Sequence, residues 1–314
     1  MSCRFLRCVR VPWTVASIGL LFPLCMDLPR TVIERLTLDF PSRNGRNPSA
    51  LLGAADFLES QLVSLGLTVE SMRYSDGTLD VRNLIIHRPG ALPGASHFVI
   101  GAHYDTVLGT PGADDNASGV AGVVELARRF ARLSTRHPLS FVLFPHEEPP
   151  YFLSSAMGSR RYASALSAAD IPVRMMLSLE MIGFAHDESA QRYPFPLMRT
   201  LGGYPRQGNF IGIVGNLRSM RTVRSLRRAM QAACPIQVES LNAPGFLPPL
   251  FLSDHSSFWQ FGFPAAMVTD TAFLRNPHYH MPTDTIGTLN FDFLAHVIDA
   301  LEVGILSLDA EKEV

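Results

Sequence analysis

Cysteine is nearly absent from this chain: four residues in 314, Cys3, Cys8, Cys25 and Cys234, three of them before residue 30. The folded body therefore has no basis for a disulfide framework or a thiolate zinc cluster, and any metal it binds is left to nitrogen and oxygen donors. Long runs of one charge sign are missing too. The formal net charge is −1, and the arginines, which greatly outnumber lysine, are scattered as on solvated faces. Nothing in that balance invites nucleic acid. There are no internal repeats and no low-complexity linkers. With 47% hydrophobic and 18% charged residues, the composition is that of a globular chain with a sizeable core, since a disordered chain carries far fewer apolar residues.

A stable membrane span is lacking as well. The nearest approach lies at the N-terminus, where Arg4, Arg7 and Arg10 precede a charge-free run from Val11 to Met26, interrupted by Pro12 and Pro23. That run is shorter than the roughly 20 residues a bilayer requires. A basic start followed by an apolar stretch has the layout of a secretory signal, without a clean small-x-small cleavage site. Residues 1–28 are set apart on this ground. If they are a signal peptide the protein is secreted or periplasmic; otherwise it is cytoplasmic. Residues 29–314 read as a single domain, with an oligomeric state that the sequence leaves open.

Along that domain, strands and helices alternate. Helices are expected over 34–40 and 50–65, the second ending at Gly66 as a C-cap would. Strands are expected at 83–87, 98–102, 139–144, 174–179, 210–214, 236–239 and 265–269. Further helices are expected at 116–133, 155–166, 217–233 and 291–306. This alternation implies an α/β sheet covered on both faces. Two long loops, 185–209 and 240–256, are rich in Pro, Gly and aromatics, and loops of that length in a compact domain are usually functional.

Charged residues gather at the ends of three of these strands. His103 and Asp105 follow 98–102, His146-Glu147-Glu148 follows 139–144, and Glu180 follows 174–179. In an open α/β sheet, ligands bind outside the carboxyl ends of the strands. Asp114 and Asp115 precede a helix, where a carboxylate suits N-capping and the helix dipole; that reading is kept for Asp114. Asp115 would face the other acids, which repel and raise one another's pKa unless a dication is bound. Asn116-Ala117-Ser118 matches a glycosylation sequon and is taken as a chance match. His278 and His280 lie in the Pro-bounded loop Pro277-His278-Tyr279-His280-Met281-Pro282-Thr283-Asp284-Thr285. His103, Asp115, Glu148, Glu180 and His280 together offer two imidazoles and three carboxylates, and with one carboxylate shared they would suit a two-metal hydrolytic site.

The ordered set His103-x-Asp105, Asp115-Asn116-Ala117-Ser118-Gly119, Glu147-Glu148, Glu180-Met181-Ile182-Gly183 and Tyr279-His280-x-Pro282-x-Asp284-Thr285 resembles the M28 family of co-catalytic zinc peptidases over most of the chain. The resemblance implies a three-layer α/β/α sandwich with a mixed, mostly parallel central sheet. It implies two zinc ions per chain, one held by His103, Asp115 and Glu180 and the other by Asp115, Glu148 and His280, with Asp115 bridging. Glu147 would be the general base and Asp105 would orient His103. Glu180 stands where the family often has Asp, a departure of one methylene. The activity implied is that of an aminopeptidase acting on peptides or small aminoacyl substrates. A glutaminyl cyclase-like acyltransferase, or an inactive binding module on the same fold, would share the architecture. The retained ligands and the Asp115–Gly119 loop favour the peptidase. Ser253-Asp254-His255-Ser256-Ser257-Phe258 resembles a further family motif near the site, and the apolar stretch Leu241 to Leu252 either walls a side-chain pocket or packs on the core.

Overall fold

The computed structural model describes residues 26–194, 198 and 202–312 of the chain. Its centre is one sheet of eight strands. In chain order these are β1 (Glu70–Ser75), β2 (Asp80–Arg88), β3 (His97–His103), β4 (Leu139–Phe144), β5 (Val173–Glu180), β8 (Phe210–Asn216), β9 (Gln237–Ala243) and β10 (Ala265–Thr269); β6 (His186–Ala190) and β7 (Gln207–Gly208) form a separate ribbon. The order across the sheet is β1-β2-β4-β3-β5-β10-β8-β9. The four central strands β4, β3, β5 and β10 run parallel, while β2 and β8 meet them antiparallel on either side. The sheet is thus mixed, with a parallel heart whose carboxyl ends share one edge.

Both faces are covered, and β3 shows how. Its apolar residues alternate: Phe98, Ile100 and Ala102 join the core under one helical layer, and Val99 joins the core on the opposite face, as the two-residue period of a strand requires. The first layer comprises α1 (Asp27–Leu38), α2 (Pro48–Ser64), α3 (Gly119–Phe130), α5 (Met220–Ala233) and α7 (Phe291–Ala310); the second comprises α4 (Gly158–Ala168) and the short α6 (His255–Gln260). Parallel strands buried on both faces need continuous apolar runs, which is why β3, β4 and β10 were visible as such. Gly101 is small for a packing reason, because a Cβ there would meet the Phe144 ring at 2.4 Å. The arrangement is the three-layer α/β/α sandwich expected from the sequence.

The departures from expectation are local. The first helix starts seven residues earlier than periodicity placed it, at Asp27 rather than residue 34. Pro29 sits in its first turn, where the missing N–H has no helical partner to lose. The edge strand β1 has no apolar run to announce it and exists through its register with β2. The loop expected over 185–209 contains the β6/β7 ribbon, and β9 extends to Ala243 into the stretch expected to be loop. The expected helix 116–133 begins as α3 only at Gly119, because residues 113–118 form a wide turn with non-helical backbone at Asp115 and Asn116. The segment read as a possible export signal falls almost wholly on residues 1–25, outside those described; Asp27 and Leu28 belong to α1. Among the described residues no helix is long and apolar enough to cross a membrane.

Phe130 on α3 and Phe141 on β4 pack with ring centroids 5.7 Å apart in the larger core. Phe141→Ala is expected to lower unfolding free energy by about 3–5 kcal/mol, whereas Leu38→Ala, at a side chain 71% exposed, should change it by less than about 0.5 kcal/mol. Urea titration of both variants measures the contrast.

Candidate metal centre

Each strand of the parallel heart delivers chemistry at its carboxyl end. His103 is the last residue of β3 and Glu180 the last of β5. Glu147 and Glu148 follow β4 after Pro145-His146, and His280 lies in the loop after β10. The turn at 113–118 lifts Asp115 into the same space.

The five ligand-type residues predicted from sequence are brought together. His103 Nε2 is 3.3 Å from Glu180 Oε2 and 3.6 Å from Asp115 Oδ1. His280 Nε2 is 3.1 Å from Asp115 Oδ2 and 3.3 Å from Glu148 Oε1. The two oxygens of Asp115 thus face two different imidazoles. His103, Asp115 and Glu148 each offer a ligand atom within 4.8 Å of the others. His103 Nε2 and Asp115 Oδ1 are buried and have no hydrogen-bond partner among the described residues. A buried polar atom left without a partner is rare, and nitrogen and carboxylate oxygen are the donors a borderline dication takes. This donor set therefore fits a divalent metal.

Glu147 sits beside the cluster, its Oε2 3.9 Å from His103 Nε2. Burial pushes its carboxyl well above the usual range; His103 opposes this, while Glu148 and Glu180 add to it. Glu148 is raised to about 7 by burial and then by Asp115. For His280, burial favours the neutral ring, but Asp115 and Glu148 outweigh it and lift the value to about 10.

A second tier of acids holds the first in place through backbone N–H groups. Asp105 accepts from Glu147 N at 3.1 Å and Glu148 N at 3.0 Å, and its Oδ1 lies 3.5 Å from His103 Nδ1. One carboxylate thereby positions three candidate groups. Asp284 accepts from Asp114 N and Asp115 N at 2.9 and 3.1 Å. Asp284 therefore takes the place at the head of this turn that was expected of Asp114. The Asp114 carboxylate instead accepts from Gly183 N, Ser118 Oγ and Asn276 Nδ2, joining the turn to the segment after Glu180. The reason is geometric: the wide turn aims the side chain inward, and burial together with Asp270 raises its pKa well above the usual range. Asn116 is fully buried, bonded to Leu179 O and Met181 N on either side of Glu180, so its sequon is inaccessible in the folded chain.

Sequence reasoning gave no role to Ser253, which donates to Glu180 Oε2 at 2.7 Å, or to Tyr279, whose ring stacks on His280 at 3.7 Å. Both lay in quoted motifs, but spacing alone does not say what a hydroxyl or a ring will touch. His278 is not part of the cluster; its Nδ1 lies 2.9 Å from Thr283 Oγ1.

These shifts carry a sign. Glu148, Asp254 and Asp284 are each raised to about 7. Their protons are held more tightly in the folded state, so the associated stability is complete below the ordinary carboxylate values and is lost as pH rises through about 7. Buried His255, lowered to about 4, works in the opposite direction only below 6.5. Three carboxylates outweigh the one histidine, so the melting temperature of the metal-free protein is expected to fall as pH rises from about 5 to about 7, and a saturating divalent cation should flatten the fall. Calorimetry with chelator and with added cation tests this; a flat profile in chelator would refute it.

The profile of peptidase family M28 matches residues 83–303, a span containing all of the clustered groups described above. Over 285 residues the chain is 38% identical to the uncharacterized protein YfbL of Escherichia coli K12, covering 88% of this chain and 85% of that one. It is 26% identical over 301 residues to leucine aminopeptidase 1 of Emericella nidulans, covering 88% and 69% respectively. Among solved structures, the LapA aminopeptidase of Legionella pneumophila matches with a TM-score of 0.72 at 20% identity, over 92% of this chain and 73% of that one. Glutaminyl cyclase of Tannerella forsythia matches with a TM-score of 0.66 at 17% identity, over 92% and 99%. These two are likenesses of fold. The profile match and the E. coli relative show that this chain belongs to peptidase family M28.

Proposed function

We propose that this M28 protein is a two-zinc aminopeptidase. The observation that carries the reading is the pairing at Asp115, one oxygen beside His103 and the other beside His280, with a buried nitrogen and oxygen left without partners. His103, Asp115 and Glu180 would hold one zinc, and Asp115, Glu148 and His280 the other. When bound, the zinc pair supplies Lewis acidity at the scissile carbonyl and lowers the pKa of water.

The remaining work falls to the chain's own residues. Glu147 is the general base: it takes the proton of the attacking water and returns it to the leaving amine. Burial raises its carboxyl, and a bound dication would lower it again, favouring the ionised form that accepts a proton. Asp105 fixes the Glu147 and Glu148 backbone so that two adjacent glutamates point to different tasks. Ser253 holds the Glu180 carboxylate, the longer replacement for the family's usual Asp, in one orientation.

The substrate side chain has a place to go. Against the face of β10, β8 and β9 opposite α5 lies a cavity of about 90 Å³ that reaches Glu180 and is lined by Phe210, Val214, Leu250, Leu252 and Met267. An apolar cavity opening beside the reacting groups is the expected site for a side chain. It supports an apolar N-terminal residue, and the leucine aminopeptidase relatives support the same choice. The stretch 241–252 contributes to both readings made from sequence, since Leu241, Leu250 and Leu252 line this cavity while Leu250 is itself buried.

A panel of aminoacyl anilides, with and without chelator, tests the activity. Leucyl-anilide should be cleaved and the chelator should stop it. Cleavage of an amine-blocked dipeptide instead would sink the aminopeptidase reading, and cyclisation of an N-terminal glutamine substrate would move the assignment to acyl transfer. Glu147→Gln is expected to lower kcat by about 10²–10⁴ with full zinc content, whereas His280→Ala should lose zinc. Zinc analysis of both variants separates base from ligand.

A further inference from the structure

Among the described residues the largest fully buried side chain is a cation, Arg43, in the connection between α1 and α2. Removing a guanidinium from water is costly unless its donors are satisfied and its charge is matched. Among the described residues Arg43 makes no ion pair. It spends its donors on backbone carbonyls: Nε on Tyr104 O at 2.7 Å, Nη1 on Pro111 O at 2.6 Å and Leu36 O at 3.2 Å, and Nη2 on Gly112 O at 2.8 Å.

The choice of carbonyls is informative. Tyr104 lies between His103 and Asp105, and Pro111-Gly112 leads directly into Asp114-Asp115. The flanking residues repeat the pattern. Thr106 N donates to Arg43 O, Ser42 N to Thr110 O, and Asn44 Nδ2 to Thr106 O and to Pro149 O, just past Glu148. Gly112, at φ +64°, passes so close that a Cβ there would come within 3.0 Å of Arg43 Nη2 and 2.4 Å of Asp115 O. Burial lowers the Arg43 pKa to about 10, while Asp284, Asp105, Asp115 and Glu148 act to raise it. It stays charged at neutral pH and offsets those acids from a distance.

We infer that Arg43 is a positioning residue: its guanidinium sets the end of β3 that bears His103 and the turn that bears Asp115 in their metal-binding arrangement before any metal arrives. Only a planar fork with five donors reaches carbonyls on three segments at once; an ammonium does not have that geometry. The inference rests on the zinc reading above, but it also makes a claim about the metal-free chain.

The test uses Arg43→Ala and Arg43→Lys in the full-length protein. In the metal-free Arg43→Ala variant, amide hydrogen exchange over 104–116 is expected to speed up by more than about tenfold while α7 keeps its protection. Zinc affinity, measured by competition with a chromogenic chelator, should fall by about 10–100-fold. Millimolar guanidinium should restore affinity and exchange protection, whereas methylammonium and Arg43→Lys should not. Exchange that rises uniformly through α7 would mean a general loss of stability and would overturn the inference. So would unchanged exchange over 104–116, or rescue by methylammonium equal to that by guanidinium. Absence of zinc binding by the wild-type chain would count against the function proposed above, while the exchange and guanidinium measurements would still decide the role of Arg43.

Discussion

Asp105, Asp115, Glu147, Glu148 and Glu180 are all at most 7% exposed, and they share one pocket with two imidazoles. Carboxylates taken out of water and set side by side cannot all stay ionised without compensation. Burial, and then the neighbouring acids, raise Glu147 and Glu148, while Asp115 and Glu148 lift His280 against its own burial. Much of the surrounding structure is arranged to bear it. A centre of this kind is costly in isolation and suited to a dication, which would relieve repulsion, desolvation and the unpartnered His103 nitrogen together.

What keeps the crowded acids from swinging apart is a set of buried side-chain oxygens that accept hydrogen bonds from backbone N–H groups. They run between strand ends: Asp105 after β3 grips the segment after β4, Asp284 grips the turn bearing Asp115, and Asp114 and Asn116 grip the segment around Glu180. Asp270 after β10 accepts from Phe184 N in the same way. Each element that carries a candidate ligand is therefore tied to another by a side chain that is not itself a candidate ligand. The parallel heart of the sheet makes this possible, because it brings four carboxyl ends to one edge at the spacing of neighbouring strands.

Legibility from sequence followed physical visibility. β3, β4 and β10 are continuous apolar runs because both their faces are buried, and charged residues immediately after such runs stand out. Edge strand β1 carries no such signature, since neither face is deeply buried and its existence depends on pairing with β2. Residues 116–118 were read as the start of a helix, with Asp114 before them as a cap; they belong instead to the turn at 113–118. Its wide path is set by contacts with Asp284, Gly183 and Leu179, which are distant in sequence. Ser253 and Arg43 were opaque for a related reason: a hydroxyl or guanidinium in a loop has no periodicity, and what it bonds is decided by where the loop lands.

The amino-acid sequence by itself determined the α/β class, the strand ends from which chemistry is presented and the residue types gathered there. Those are properties of apolar periodicity and of composition next to it, and they are local. Tertiary structure alone decided that the two oxygens of Asp115 face different imidazoles, that Asp114 braces the segment after Glu180 instead of capping a helix, and that a buried arginine joins the end of β3 to the turn bearing Asp115. Those facts concern directions and distances between segments remote in the chain. They arise only when burial forces each polar group to find its partner in a space the whole fold has closed.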